Sequence, residues 1–91
     1  MKKEQIVAEI ALAIGVDAPP MSSGSTEPRA IFDLVNDRLG LGLEGTTKQG
    51  LARGIVEIVG GTWTTAYESR GATVTKDGLL AVRDAVRTLT A

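Results

Sequence analysis

The chain has 91 residues, 43% of them apolar and 23% charged, with ten basic and eleven acidic side chains for a net charge of −1. That length holds one domain, and that apolar share excludes intrinsic disorder. Cys and His are both absent, which excludes disulfides, thiolate or imidazole metal sites, cysteine nucleophiles and a histidine general base.

Met1-Lys2-Lys3 ahead of apolar residues has the outline of a signal peptide, but Glu4, Gln5 and Glu9 interrupt the apolar stretch. Residues 3–14 read instead as a first helix. Ile6, Ile10 and Ile14 stand four apart with Val7 and Ala11 beside them, and Gly15 is a natural stop. Asp17 to Gly24 must be a loop, because Pro19 and Pro20 cannot continue a helix. Ser25 or Thr26 is the expected cap of a second helix, with Glu27 in its first turn and Pro28 near its first position. That helix runs to about Leu39 and buries Ile31, Leu34, Val35 and Leu39 on one stripe.

Gly40-Leu41-Gly42-Leu43-Glu44-Gly45 breaks the pattern, and Thr46 followed by Gln49 matches a capping box for a third helix ending at Gly60-Gly61. Leu51, Ala52, Ile55, Val56, Ile58 and Val59 cover more than half its circumference, so it is expected to be the central and most buried helix. Gly50 and Gly54 each cost it about 1 kcal/mol of propensity relative to Ala, a loss that close approach of a neighbouring helix or strand would offset. Residues 62–75 hold five threonines, Val74, the single Trp63 and the single Tyr67. Two short strands around a turn at Glu68-Ser69-Arg70-Gly71 are expected, or an ordered threonine-rich loop. Thr75 then caps a last helix to about Leu89, with Asp77 in its first turn and Leu79, Val82, Val86 and Leu89 inside. The fold expected is mainly α (α+β): about four helices with a short β-hairpin or ordered loop before the last. All 91 residues form one domain, and a helix running almost to the chain end is what a piece of a longer protein would show.

Few of the possible sites carry chemistry. Gly40-x-Gly42-x-x-Gly45 spells a dinucleotide fingerprint, but it follows a helix rather than a strand and Glu44 would repel phosphate. Ser and Thr hydroxyls have no base to activate them. Asp33 and Asp37 share a helical face at i,i+4, where a solvated surface is the ordinary outcome. The expectation is a non-enzyme with no cofactor and no metal. No run approaches the roughly 20 apolar residues that span a bilayer, so no membrane partner is expected, and a cysteine-free chain fits the cytoplasm. The two halves differ in charge: residues 1–45 carry four basic and seven acidic side chains (−3), residues 46–91 six and four (+2).

The strongest candidate lies in the second half. At 100° per residue, Lys76, Arg83 and Arg87 fall within about 40° of one another, beside the apolar stripe of the last helix. Next to them runs the loop with Trp63, Tyr67 and Arg70. Aromatic faces, a guanidinium fork and a basic stripe together suit phosphate and base contacts. Each residue also has a structural reading. Trp63 can pack against the third helix, Arg70 can pair with Glu68, and the helix cations can lie along the rim of the core.

Helices, a short hairpin and a further helix over residues 26–90 resemble the winged-helix and helix-turn-helix group of DNA-recognition domains. The run Gly60-Gly61-Thr62-Trp63 through Ser69-Arg70-Gly71-Ala72-Thr73-Val74-Thr75, then Gly78-Leu79-Leu80, also looks like segments of restriction-type DNA-processing proteins. Sparse basic charge and a long loop before the last helix depart from that group. The resemblance implies a non-catalytic DNA reader, with Arg70 specifying and Lys76, Arg83 and Arg87 holding phosphates. The competing expectation is a protein-interaction or oligomerisation domain appended to a larger enzyme, with Leu41 and Leu43 as an exposed apolar patch.

Overall fold

The computed structural model describes residues 2–21, 26–44 and 47–91; Ser25, Gly45 and Thr46 lie outside them, as do residues 22–24 of the proline loop. Four helices form: α1 (Lys3–Ile14), α2 (Arg29–Leu39), α3 (Lys48–Ile58) and α4 (Lys76–Thr90). Between α3 and α4 lie two-residue strands, β1 (Glu68–Ser69) and β2 (Thr73–Val74), paired antiparallel with Glu68 opposite Val74 and Ser69 opposite Thr73. The expected mainly helical fold with a hairpin before the last helix is therefore present.

α1 buries Ile6, Val7, Ile10, Ala11 and Ile14, the set its periodicity predicts, and ends where Gly15 turns left-handed at φ 73°. α2 starts later than the capping signal implies. Pro28 stands at its cap position with extended backbone, and Glu27 lies outside the helix. The reason is steric: a proline pushes the residue before it out of the helical region. Its buried stripe is Ile31, Phe32 and Val35, while Leu34 and Leu39 are only half-buried at its edge. Thr47 caps α3, its side chain accepting from Gly50 N–H at 3.0 Å.

The helices close a ring in which α1 packs on α2, α2 on α3, α3 on α4 and α4 on α1. The hairpin and the 3-10 turn ahead of it (Thr65–Tyr67) sit against α4, and β2 also touches α3. This makes α4 the central helix, correcting the expectation for α3. α3 buries Leu51, Ala52, Ile55 and Val56, but Ile58 is 46% exposed and Val59 half-buried. An apolar residue near a helix end stays exposed when no neighbouring element reaches that far. The gap left by Gly54 is filled by Leu43 of the α2–α3 connector, whose Cδ2 lies 2.9 Å from where a Cβ would stand, so a loop side chain takes the place expected of a helix or strand. Gly50 is exposed in the first turn.

α4 carries the deepest packing, with Gly78, Leu79, Val82, Ala85 and Val86 buried and Leu89 half-buried. Gly78 is the point of closest approach. A Cβ there would lie 2.9 Å from the backbone oxygen of Tyr67 and would run into Val74 Cγ1. Thr75 caps α4 by accepting from Gly78 N–H at 3.2 Å, and its hydroxyl donates to the Ala66 carbonyl at 3.0 Å. One side chain thus ends the loop and begins the helix. The radius of gyration, 11.5 Å, is near the roughly 12 Å of a packed domain this long.

Candidate functional site

The hairpin is the element that positions the candidate residues, and its turn differs from the expected one. Glu68 and Ser69 are strand residues, and Arg70, Gly71 and Ala72 make the connecting turn. Gly71 and Ala72 both take positive φ, 72° and 59°. Glycine accepts that conformation freely and alanine does not, because its Cβ crowds the carbonyl. Thr73 Oγ1 donates to the Arg70 carbonyl at 2.9 Å and closes the turn.

Strands of two residues are too short to stand alone. Side chains from three other parts of the chain hold them by their backbone. Gln49, in the first turn of α3, donates from Nε2 to the carbonyls of Ser69 (3.1 Å) and Thr73 (2.8 Å). Glu27 accepts the Val74 N–H at 2.6 Å, and Lys3 of α1 donates from Nζ to the Val74 carbonyl at 2.7 Å. Lys3 and Glu27 are themselves paired at 2.9 Å, and Lys48 Nζ donates to the Glu27 carbonyl at 3.1 Å. Glu27 is 0% exposed, the one buried charged residue among those described. A buried carboxylate is sustained only by a full set of partners, and here no buried side-chain polar atom among the described residues lacks one.

Trp63 is half-buried against the core, and its Nε1–H donates to Glu68 Oε2 at 2.7 Å. Its ring meets Tyr67 edge to face, with centroids 5.2 Å apart and planes at 73°. Burial and display therefore coexist: one side of the indole lies on the core and its polar edge is held by the hairpin. Glu68 is engaged by Trp63, and the Arg70 side chain makes no hydrogen bond or ion pair among the described residues; it stands exposed on the turn. Lys76, the first residue of α4, is likewise exposed.

Arg83 and Arg87 are placed differently. Both guanidinium groups converge on Oε1 of Glu9 in α1, at 3.0 and 2.9 Å, and Arg83 also meets Asp84 at 3.2 Å. Desolvation pulls the Arg83 pKa down, but its hydrogen bonds to Asp84 and Glu9 and their charges outweigh it, so the guanidinium is held above its ordinary value. The Arg83 side chain is 19% exposed and that of Arg87 54%. The structure brings Trp63, Tyr67, Arg70 and Lys76 to the hairpin end of α4, and places Arg83 and Arg87 farther along it on the rim shared with α1.

Sequence reasoning missed the brace formed by Glu27, Lys3 and Gln49. Gln49 was expected to serve a capping box, and Glu27 a helix dipole. The signal that could have found Glu27 is Pro28, which excludes it from the helix. Nothing local marks Lys3 or Gln49, because their partners lie 71 and 24 residues away.

Elsewhere, a groove of about 760 Å³ opens along α2, lined by Ala30, Asp33, Leu34, Asp37, Gly40 and Gly42. Gly40 and Gly42, at φ 61° and 68°, terminate α2 and shape the connector. Leu41 and Leu43 are half-buried and packed on the core, with the Leu43 backbone gripped by Asn36 through two 2.9 Å hydrogen bonds. The exposed apolar patch expected there is absent because the connector folds inward. The large apolar side chains exposed among the described residues are Leu12 (80%) and Ile58. No described helix is long and apolar enough to cross a membrane, and no three described acidic residues cluster to hold a metal.

Comparison with known proteins finds no family model, no curated protein and no solved structure that matches this chain.

Proposed function

We propose that this domain is a non-catalytic DNA-recognition module of winged-helix-like architecture, acting in the cytoplasm, that meets DNA with its hairpin and the adjoining start of α4. The observation that carries this reading is an exposed guanidinium on a turn beside the chain's one Trp–Tyr pair, with the hairpin backbone braced by the side chains of Lys3 and Gln49, which donate to it, and of Glu27, which accepts from it. A fork of donors held on a rigid tip suits a base edge or a phosphate. Arg70 is the specifying residue, Trp63 and Tyr67 supply stacking surface, and Lys76 holds a phosphate. Arg83 and Arg87 extend the phosphate track once DNA competes with Glu9 for them.

The deciding experiment is a fluorescence-anisotropy titration with random duplex and single-stranded DNA at two salt concentrations. Phosphate contacts release counterions, so binding is expected to weaken steeply as salt rises. Absence of binding to either DNA at low salt favours the second reading, a protein-interaction or oligomerisation domain. That reading draws on the open groove of α2, which Leu34 lines together with Asp33 and Asp37, and on the exposed Leu12. A single mass over a wide concentration range in sedimentation would remove the oligomerisation half of it.

A further inference from the structure

The polar side chains that reach the hairpin do more than fill hydrogen-bond valences. Three carbonyls of the hairpin (Ser69, Thr73 and Val74) and the Val74 N–H are taken by side chains from outside it. These groups lie on both strands and flank the Arg70–Ala72 turn on either side. The grip is on backbone, so it sets where the strands lie whatever side chains they carry. Four hydrogen bonds from three separate parts of the chain leave a two-residue ribbon no hinge at its base.

We infer that Glu27, Lys3 and Gln49 are positioning residues that set the pose of the hairpin tip, and so of Arg70, before any partner arrives. The affinity consequence rests on the DNA reading above, whereas the pose itself does not. Glu27 is the hub. Its carboxylate orders Lys3 and β2 together, and its carbonyl receives Lys48 at the start of α3. Gln49 is the independent arm, with one amide group bridging the two strands next to the turn. A tip held in advance keeps its ordering cost out of the binding step.

The test uses Glu27→Gln and Gln49→Met, each compared with the parent chain. Gln49→Met keeps the stem and removes both donors from a half-buried residue in the first turn of α3, so it is expected to stay folded and carries the test if Glu27→Gln does not. Trp63 is the only tryptophan and donates to Glu68 of β1, which makes its fluorescence sensitive to how the hairpin is held. Expected results are amide exchange over residues 68–74 faster by about tenfold, the effect of losing hydrogen bonds of ordinary strength, and easier acrylamide quenching of Trp63. Exchange in α1 and in the interior of α4 should be unchanged. DNA affinity should fall while the salt slope stays the same, since no phosphate contact is removed. Unchanged hairpin exchange and quenching in a folded variant would overturn the inference, and a loosened hairpin that binds DNA as tightly as the parent would overturn its affinity consequence. If the parent binds no DNA at all, the DNA reading fails, and exchange and quenching still decide the pose.

Discussion

At the scale of single residues, two positions separate structural from functional roles. Gly78 is where the loop backbone lies on α4, with Tyr67 O 2.9 Å from any added Cβ and Val74 closer still. Backbone cannot move aside as a side-chain end can, so Gly78→Ala is expected to destabilise the fold by about 1–3 kcal/mol despite alanine's better helix propensity. Urea denaturation measures this; a stabilised variant would mean that the hairpin does not sit against α4. Arg70 is the opposite case. It is exposed and makes no side-chain bond among the described residues, so Arg70→Ala should change stability by less than about 0.5 kcal/mol. The same variant should lower specific DNA affinity by about 1–3 kcal/mol if the guanidinium reads a base. Unchanged affinity in the anisotropy titration would remove Arg70 from the site.

At the scale of elements, the junction between loop and last helix depends on Thr75. Its hydroxyl oxygen accepts from Gly78 N–H and its proton goes to the Ala66 carbonyl. Thr75→Val preserves shape and removes both bonds, and a loss of about 1–2 kcal/mol is expected from thermal or urea unfolding. A null result would show that water replaces both partners at no cost. This cap was legible in the sequence, since Thr75 and Asp77 precede a 3.6-residue apolar pattern. The α2 cap is not at Ser25 or Thr26, as capping chemistry alone implies, because the steric rule of Pro28 is stronger and keeps Glu27 out of the helix. The hairpin was legible from its threonines and aromatics, but its turn was placed two residues early. Gly71 reads as the end of a turn, whereas here it is the middle of one shared with Ala72.

At the scale of the whole molecule, the ring of helices sets which charges are available. Lys76, Arg83 and Arg87 form one stripe on an isolated α4, but α1 lies alongside and brings Glu9 between the two arginines. Glu9→Gln removes that competing charge. DNA affinity at low salt is expected to rise about threefold to tenfold, and each phosphate gained should steepen the log–log salt dependence by about 0.9. The stability loss should stay below about 1 kcal/mol, because Arg87 is largely exposed and Arg83 keeps Asp84. Equal affinity and an equal slope would take Arg83 and Arg87 out of the proposed interface and confine it to the hairpin end.

The sequence by itself determined the number of helices, the extent and core faces of α1 and α4, the left-handed stop after α1 and the presence of a hairpin before the last helix. Those features follow from local rules, in which periodicity, capping chemistry and glycine act within a few residues of where they are written. Only the tertiary structure decided that α4 rather than α3 is central, that Leu41 and Leu43 turn inward, that Glu68 accepts from Trp63 and that Arg70 stands exposed. It alone decided that Glu9 claims two arginines and that Lys3, Glu27 and Gln49 brace the hairpin. Each of these depends on which elements become neighbours across the ring. A side chain's partner 24, 71 or 74 residues away leaves no mark on the spacing of the residues beside it.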